Sequence, residues 1–219
     1  MADLHEMRLF PLGTVLFPGM VLPLHIFEQR YRIMISECIE NNEPFGVVLI
    51  DQGFAEGPAK SFQIGTTARI THVQPFDDGR MNIQSVGYQR IRVAEFLEDR
   101  PYPAGMVEVM PIATGEPEAI ETLMDEIKPR LISYLNRLME LTDTDLELDE
   151  LPDDGLALAL FAAITMPVPM RDKQDILEEP DVVSMLRRER DLLKRELVLL
   201  DNMSATQDQS RTGPTFSAN

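Results

Sequence analysis

Cysteine is almost absent from this sequence of 219 residues, which contains only Cys38. A single cysteine cannot form an internal disulfide, so packing rather than cross-linking must hold the fold together. This composition is typical of proteins from a reducing compartment. The sequence also lacks a basic segment followed by an apolar run, which is the pattern of a secretion signal. Both absences predict a cytoplasmic protein.

Positive charge is scarce: 20 lysines and arginines stand against 37 acidic residues, which gives a formal net charge of -17. An acidic surface repels phosphate backbones and anionic lipid headgroups. Long apolar runs are missing as well, because the longest stretch, residues 156–170, is shorter than the roughly 20 residues of a membrane-spanning helix. We therefore expect no membrane association and regard nucleic acid as a disfavoured partner.

Motifs for nucleotide hydrolysis, acyl transfer and metal binding are missing. The nearest match to a P-loop is residues 57–61 (GPAKS), where an alanine replaces the required glycine and a proline removes an N–H donor. No Gly-x-Ser-x-Gly elbow is present. His5, His25 and His72 lack the spacing of zinc ligands, and the acidic run at residues 143–154 lacks the ligand pattern of a calcium loop. We predict a non-enzymatic chain without cofactor or metal.

The first half of the chain is predicted to be β-rich. Residues 77–79 (DDG) are a tight-turn signal between two alternating runs, which predicts a hairpin. Pro101 and Pro103 interrupt the pairing of the last two runs, because proline cannot donate to a ladder. Several short strands with regular turns favour a barrel or folded sheet. The predicted strands are residues 45–51, 65–73, 80–86, 90–96 and 104–112.

One helix interrupts this half, and the second half is helical. Residues 28–41 place apolar side chains at three- and four-residue spacing. Pro129 is expected to kink or split the next helix, and the polar sequence after Met203 predicts a disordered tail. The α+β chain is thus expected to have a β-rich subdomain over residues 1–115, a helical subdomain over 116–203 and a tail over 204–219. The later helices are predicted at residues 117–141, 155–165, 172–178 and 181–203.

Five motifs carry a family resemblance. Residues 9–31 (LFPLGTVLFPGMVLPLHIFEQRY) are similar to the opening motif of the N-terminal domain of Lon proteases. Four later segments resemble further signatures of that family in the same order: FGVV at 45–48, IGT at 64–66, GYQRIRV at 87–93 and QDIL at 174–177. The resemblance implies a PUA-like β-barrel or folded sheet with one inserted helix, followed by a C-terminal helical bundle. It also implies a substrate-recognition domain that stands alone, without the family's P-loop ATPase or its Ser-Lys protease pair.

Residues 10–27 are the predicted binding surface. The segment is apolar, and its prolines and glycines argue against a regular helix or a central strand. It either packs into the core or forms an exposed groove for apolar side chains of an unfolded partner. Uptake of an extended peptide by an exposed sheet edge is a further alternative. The candidate groove residues are Phe17, Met20, Val21, Leu22 and His25.

The last predicted helix carries the main basic cluster of the sequence: Arg187, Arg188, Lys194 and Arg195. An ion-paired, solvated helix face is the simpler interpretation of these charges. Contact with an acidic partner or with RNA is the alternative. The apolar stripe of the same helix packs either within the bundle or against a second copy of the chain, which would give a homodimer.

These observations predict a non-catalytic module that binds unfolded or hydrophobic protein segments, as an adaptor or regulator of protein quality control. An accessory role in ATP-dependent proteolysis, in trans with a separate ATPase or protease, is one alternative. RNA binding is another; it is suggested only by analogy between PUA-like folds and is disfavoured by the acidic charge.

Overall fold

The computed structural model describes residues 3–51, 61–142 and 150–211, and for residues 203–211 it describes the backbone alone. The chain forms two compact units. The first contains Met1–Ala113 and Ala163–Pro180, and the second contains Thr114–Ala162 and Asp181–Asn219. Among the described residues, no helix is both long enough and apolar enough to cross a membrane.

The first unit is built on a mixed sheet of six strands. Strand β1 pairs in parallel with β3 and antiparallel with β6, and the remaining pairs are antiparallel. The pairing of β5 with β6 closes β1, β3, β4, β5 and β6 into a ring, and among the described strands β2 pairs only with β5. The predicted α+β class and barrel are therefore confirmed. The strands are β1 His5–Leu12, β2 Val21–Ile26, β3 Phe45–Ile50, β4 Ser61–Pro75, β5 Met81–Leu97 and β6 Ala104–Val109.

Helix α1 (Gln29–Asn41) follows β2 and covers one face of this sheet, as its apolar spacing predicts. Tyr31, Met34, Ile35 and Cys38 of α1 are buried in one cluster with side chains of the strands. Phe10 of β1 stacks on Tyr31 with ring centroids 4.1 Å apart. The predicted hairpin is also present, because β4 and β5 are joined at the Asp-Asp-Gly turn.

Strand β1 corrects one expectation. The prolines of residues 10–27 were expected to exclude a central strand, yet β1 contains Pro11 and lies between β3 and β6. The physical reason is position: β6 pairs with His5–Arg8, whereas β3 pairs with Leu9–Leu12. Pro11 therefore sits where only one neighbour is paired, and a proline is tolerated at such an edge.

The second unit is helical and contains α2 (Pro117–Thr142), most of α3 (Gly155–Thr165) and α5 (Val182–Arg211). Helix α2 continues through Pro129, so the alternative of two separate helices is wrong. Ion pairs link α2 to α5 at Glu126 with Arg190 and at Arg137 with Asp201.

Two predicted boundaries differ from the structure. Helix α5 extends to Arg211, so residues 204–211, predicted to belong to a disordered tail, are helical. Residues 163–180, predicted in the helical subdomain, lie in the first unit and include α4 (Met170–Glu178). Gln174 of α4 donates from Nε2 to the Ile64 carbonyl of β4 at 2.9 Å, a contact that the local sequence does not reveal. The predicted acidic loop falls mostly, and the near P-loop almost wholly, outside the described residues.

Candidate functional site

A cleft of about 600 Å³ opens in the first unit between the end of β1, the end of β2 and the start of α1. We call it the apolar cleft. The stacked rings of Phe10 and Tyr31 form part of its wall. Phe27, which follows β2, also lines the cleft and is 60% exposed. The other large apolar side chains of the lining are Leu12, Leu24, Ile26 and Ile50.

A second cavity, of about 720 Å³, adjoins the apolar cleft. Both cavities are lined by Pro11, Arg30 and Pro103. The second cavity extends along residues 96–104, which connect β5 to β6. The two cavities are therefore neighbours that share the wall formed by Pro11, Arg30 and Pro103, and we call the pair the trough.

Prolines explain why the sheet opens at this place. The β1–β6 ladder ends where the Leu9 amide donates to the Pro103 carbonyl at 2.8 Å. Pro103 has no N–H to return the bond. Alternate residues of a strand direct their backbone groups to the same side, so Pro11, like Leu9, faces the β6 side and not β3. Pro11 has no N–H to offer there. The seam beyond Leu9 therefore has no donor with which to continue, and the trough occupies the gap.

Strand β2 forms the opposite border and has a similar free edge. The Gly87 amide of β5 donates to the Met20 carbonyl at 2.9 Å. The backbone of Met20 therefore faces β5, and so do those of Leu22, Leu24 and Ile26 in the adjoining β2, whose pairing with β5 begins at Val21 and Val86. Val21, Pro23 and His25 consequently direct their backbone groups away from β5. Pro23 stands in the middle of this free edge.

The charged groups of the trough are largely matched within the protein. Arg30 Nη2 lies 2.9 Å from Glu28 Oε2, and its guanidinium lies 4.6 Å from the centre of the Tyr31 ring. Arg100 Nη2 lies 2.8 Å from a Glu6 carboxylate oxygen. Burial raises the pKa of Tyr31, so its hydroxyl stays neutral at physiological pH. The lining is thus apolar, with paired charges beside it.

His25 is held at the border of the apolar cleft. Its Nδ1 lies 2.7 Å from Asn82 Oδ1, which can accept only if this nitrogen carries a proton. The His25 ring lies 6.0 Å from Phe27 and 5.9 Å from Phe76 between centroids. Phe27 and Phe76 are both exposed. An exposed aromatic group therefore continues from the cleft onto the outer face of β2.

Of the five residues predicted from the sequence to form a groove, only His25 lines the apolar cleft. Phe17 and Leu22 are buried, so for these two the core interpretation is correct and the groove assignment is wrong. Met20 is half-buried against the core cluster, and Val21 is 56% exposed on the outer face of β2. The alternation of β2 explains why Leu22 is buried and Val21 is exposed, because successive side chains of a strand point to opposite faces.

Sequence reasoning missed most of the cleft wall. Phe10 and Leu12 lie within the predicted segment, but nothing local shows which side of β1 they face. Tyr31 lies within the helix predicted at residues 28–41, and Pro103 was predicted only to interrupt the pairing of two strands. The signal that could have found the site is the concentration of prolines at 11, 23, 101 and 103, since prolines mark unpaired strand edges.

The predicted basic surface lies on α5 in the second unit. Lys194 Nζ is 3.8 Å from Asp191 Oδ1, and Arg195 Nη2 is 2.8 Å from Glu196 Oε1. Arg187 is exposed and Arg188 is half-buried. The ion pairs favour the solvated helix face, and a partner contact at these residues stays a prediction.

Comparison with known proteins decides the family. The family model of the ATP-dependent protease La (LON) substrate-binding domain matches residues 6–195. The chain belongs to this family. The resemblance predicted from the motifs is therefore confirmed, and the match covers residues of both units.

Relatives of this LON substrate-binding domain are longer proteins. Lon protease 2 of Myxococcus xanthus is 29% identical over 195 residues, which are 87% of this chain and 24% of that protein. Lon protease 2 of Thermus thermophilus is 27% identical over 90% of this chain and 25% of its own length. The chain thus spans about a quarter of the length of these relatives.

Solved structures agree with the family. A Lon N-terminal domain protein from Xanthomonas campestris has a TM-score of 0.61 at 25% identity, over 87% of this chain and 98% of that one. The N-terminal domain of Lon protease from the Mycobacterium avium complex has a TM-score of 0.67 at 20% identity, with the same coverages. The second likeness shows the fold alone.

Proposed function

We propose that this chain is a non-catalytic module that captures apolar side chains of unfolded protein segments in the apolar cleft. One observation carries the proposal: a cleft lined by Phe10, Leu24 and Tyr31 has at its border Phe27, which is 60% exposed. An exposed aromatic residue at the border of an apolar cleft is typical of a binding site, because burial of such a ring supplies affinity. Membership of a substrate-binding family supports the same function.

The matched charges of the site support an apolar ligand. An occupant would meet aromatic and aliphatic walls, while Arg30 and Arg100 are already paired with Glu28 and Glu6. No metal or nucleotide is required for such binding, because the free energy comes from apolar surface removed from water. The proposed role in the cell is that of an adaptor or regulator of cytoplasmic protein quality control.

Phe27→Asp tests the site. Full burial of a phenylalanine is worth about 1.5–3 kcal/mol. Loss of the Phe27 contact should therefore raise the dissociation constant of a fluorescently labelled, unstructured peptide rich in Leu and Phe by about tenfold or more. The measurement is fluorescence anisotropy at constant ionic strength. Because the Phe27 side chain is largely exposed, the variant should fold, which circular dichroism can check.

Val21→Asp is the matched control. Val21 lies on the same strand and is 56% exposed, but it does not line the apolar cleft. We expect its dissociation constant to stay within about twofold of the parent value, since no contact with the peptide is removed. If both variants weaken peptide binding equally, or if neither weakens it, the assignment of the cleft is refuted.

A second candidate is an accessory role in ATP-dependent proteolysis with a separate ATPase or protease. The observation in its favour is that the curated relatives are Lon proteases, of which this chain corresponds to one part. The test is a reconstitution with a purified Lon protease from the same cell. If the role is correct, degradation of an unfolded substrate should change when the parent chain is added but not when Phe27→Asp is added.

A further inference from the structure

Resting on the proposed function, we infer that the apolar cleft recognises its peptide through side chains, and that no β-ladder forms between peptide and protein. Strand addition is the usual alternative when an extended peptide meets an exposed strand edge. It requires a run of alternate N–H donors and C=O acceptors on that edge. Both strands that border the cleft lack such a run.

The β1 border is interrupted by proline at its free position. The bond from the Leu9 amide to the Pro103 carbonyl shows that Leu9 faces the β6 side. Two residues further, Pro11 faces the same side, and it lines both cavities. A peptide laid along this edge would meet the Pro11 ring where a ladder needs an N–H donor.

The β2 border is interrupted in the same way. Its free positions are Val21, Pro23 and His25, because the intervening residues face β5. Pro23 removes the central donor, and of the two other free positions only His25 lines the cleft. Proline at an edge is a device that prevents pairing with another chain.

The occupant that fits this arrangement is an extended, uncharged peptide segment with large apolar side chains. The charges of Arg30 and Arg100 are matched by Glu28 and Glu6, so a charged peptide group would have to compete with existing pairs. The side chains of Phe10, Tyr31 and Phe27 offer the complementary apolar surface. Recognition of this kind depends on residue type and tolerates changes in the peptide backbone.

Backbone methylation tests the inference without altering the protein. The probe is the labelled Leu- and Phe-rich peptide, together with two derivatives that are N-methylated either at every odd residue or at every even residue. In an added strand only one of the two sets of amides would face the protein. Strand addition therefore predicts that one derivative binds about tenfold or more weakly than the parent peptide and that the affinity of the other changes little.

Side-chain recognition predicts that both derivatives bind within about threefold of the parent peptide, since their apolar side chains are unchanged. A large loss of affinity for one derivative would establish strand addition and overturn the inference. A large loss of affinity for both derivatives would show another dependence on the peptide backbone and would also overturn it. If the parent peptide itself fails to bind, or binds Phe27→Asp as well as the parent chain, the proposed function fails and the inference falls with it.

Discussion

Glu189 of α5 is a carboxylate in apolar surroundings. It is fully buried, and neither of its carboxylate oxygens has a hydrogen-bond partner among the described residues. Residues three and four positions away share its helix face, and Met185, Leu186, Leu192 and Leu193 are all buried. Burial raises the pKa of Glu189 well above its ordinary value of 4.5. Between the ordinary pKa and the raised one, the folded chain therefore holds a proton that the unfolded chain releases.

This proton makes stability depend on pH. Below the ordinary pKa of 4.5 the carboxyl is protonated in both states, and the folded state bears no penalty. As pH rises towards the folded pKa, the unfolded state gains by ionising, so the free energy of unfolding falls. Glu189→Gln should be stabilising, by about 1 kcal/mol or more at pH 7.5, and the difference should shrink towards acid pH. Urea unfolding at several pH values measures it.

Glu196→Gln provides the comparison for Glu189→Gln. Glu196 lies on the same helix, where it pairs with Arg195. Removal of this carboxylate changes the net charge by the same amount, and an ion pair whose arginine is about half exposed is worth little, about 0–1 kcal/mol. A stabilisation by Glu189→Gln that does not grow with pH would contradict the buried-proton explanation.

Cys38 illustrates the same effect of burial on a thiol. It lies on the inner face of α1 and is 1% exposed. Desolvation raises the pKa of Cys38 to about 11, so the reactive thiolate is nearly absent at neutral pH. Cys38 is therefore part of the packed core and not a reactive thiol.

At the scale of elements, Arg90 joins α4 to the barrel. It is 3% exposed and makes its hydrogen bonds to backbone carbonyls. Its Nε donates to the Met110 carbonyl at 3.0 Å and its Nη2 to the Pro111 carbonyl at 3.0 Å. Its Nη1 donates to the Leu177 carbonyl at 2.9 Å and also to the Glu179 carbonyl. A cation at the end of a helix also complements the helix dipole.

Arg90→Ala should therefore release the C-terminal end of α4. Four carbonyl groups would lose their donor, and we expect a loss of about 3 kcal/mol or more in the free energy of unfolding. Hydrogen exchange should show reduced protection of α4. Arg92→Ala is the control, because the Arg92 side chain is about half exposed in its ion pair with Glu108 and its loss should cost less than about 1 kcal/mol. Equal stability of the two variants would be incompatible with this role of Arg90.

Elements were predictable from the sequence wherever the signal is local. The spacing of apolar residues located α1, and the Asp-Asp-Gly turn located the β4–β5 hairpin. The path of β1 was not predictable, because its parallel pairing with β3 is a long-range contact. The position of α4 likewise depends on Arg90, which lies 87 residues from Leu177 along the chain.

At the scale of the whole molecule, the net charge of -17 bears on the nucleic-acid alternative. The basic residues Lys194 and Arg195 are paired with Asp191 and Glu196, which leaves them less available to a phosphate backbone. Phosphate contacts supply most non-specific affinity for nucleic acid and weaken steeply with salt.

We therefore expect no binding of a labelled single-stranded RNA in fluorescence anisotropy, at low or at high salt. Binding that appears at low salt and disappears at high salt would show a phosphate-contacting surface and would revive the RNA alternative. The same titration with the Leu- and Phe-rich peptide should depend little on salt, because apolar contacts carry no counterion release.

The sequence by itself determined the class, the family and most of the elements of this protein, because periodicity, turn residues and ordered motifs act over short distances. It also supplied the prolines that open the sheet. Only the tertiary structure decided that Pro11 and Pro23 stand on free edges, that Phe17 and Leu22 belong to the core, and that residues 163–180 lie in the first unit. The physical reason is register: which side a strand residue faces is set by pairing with residues far away in the chain.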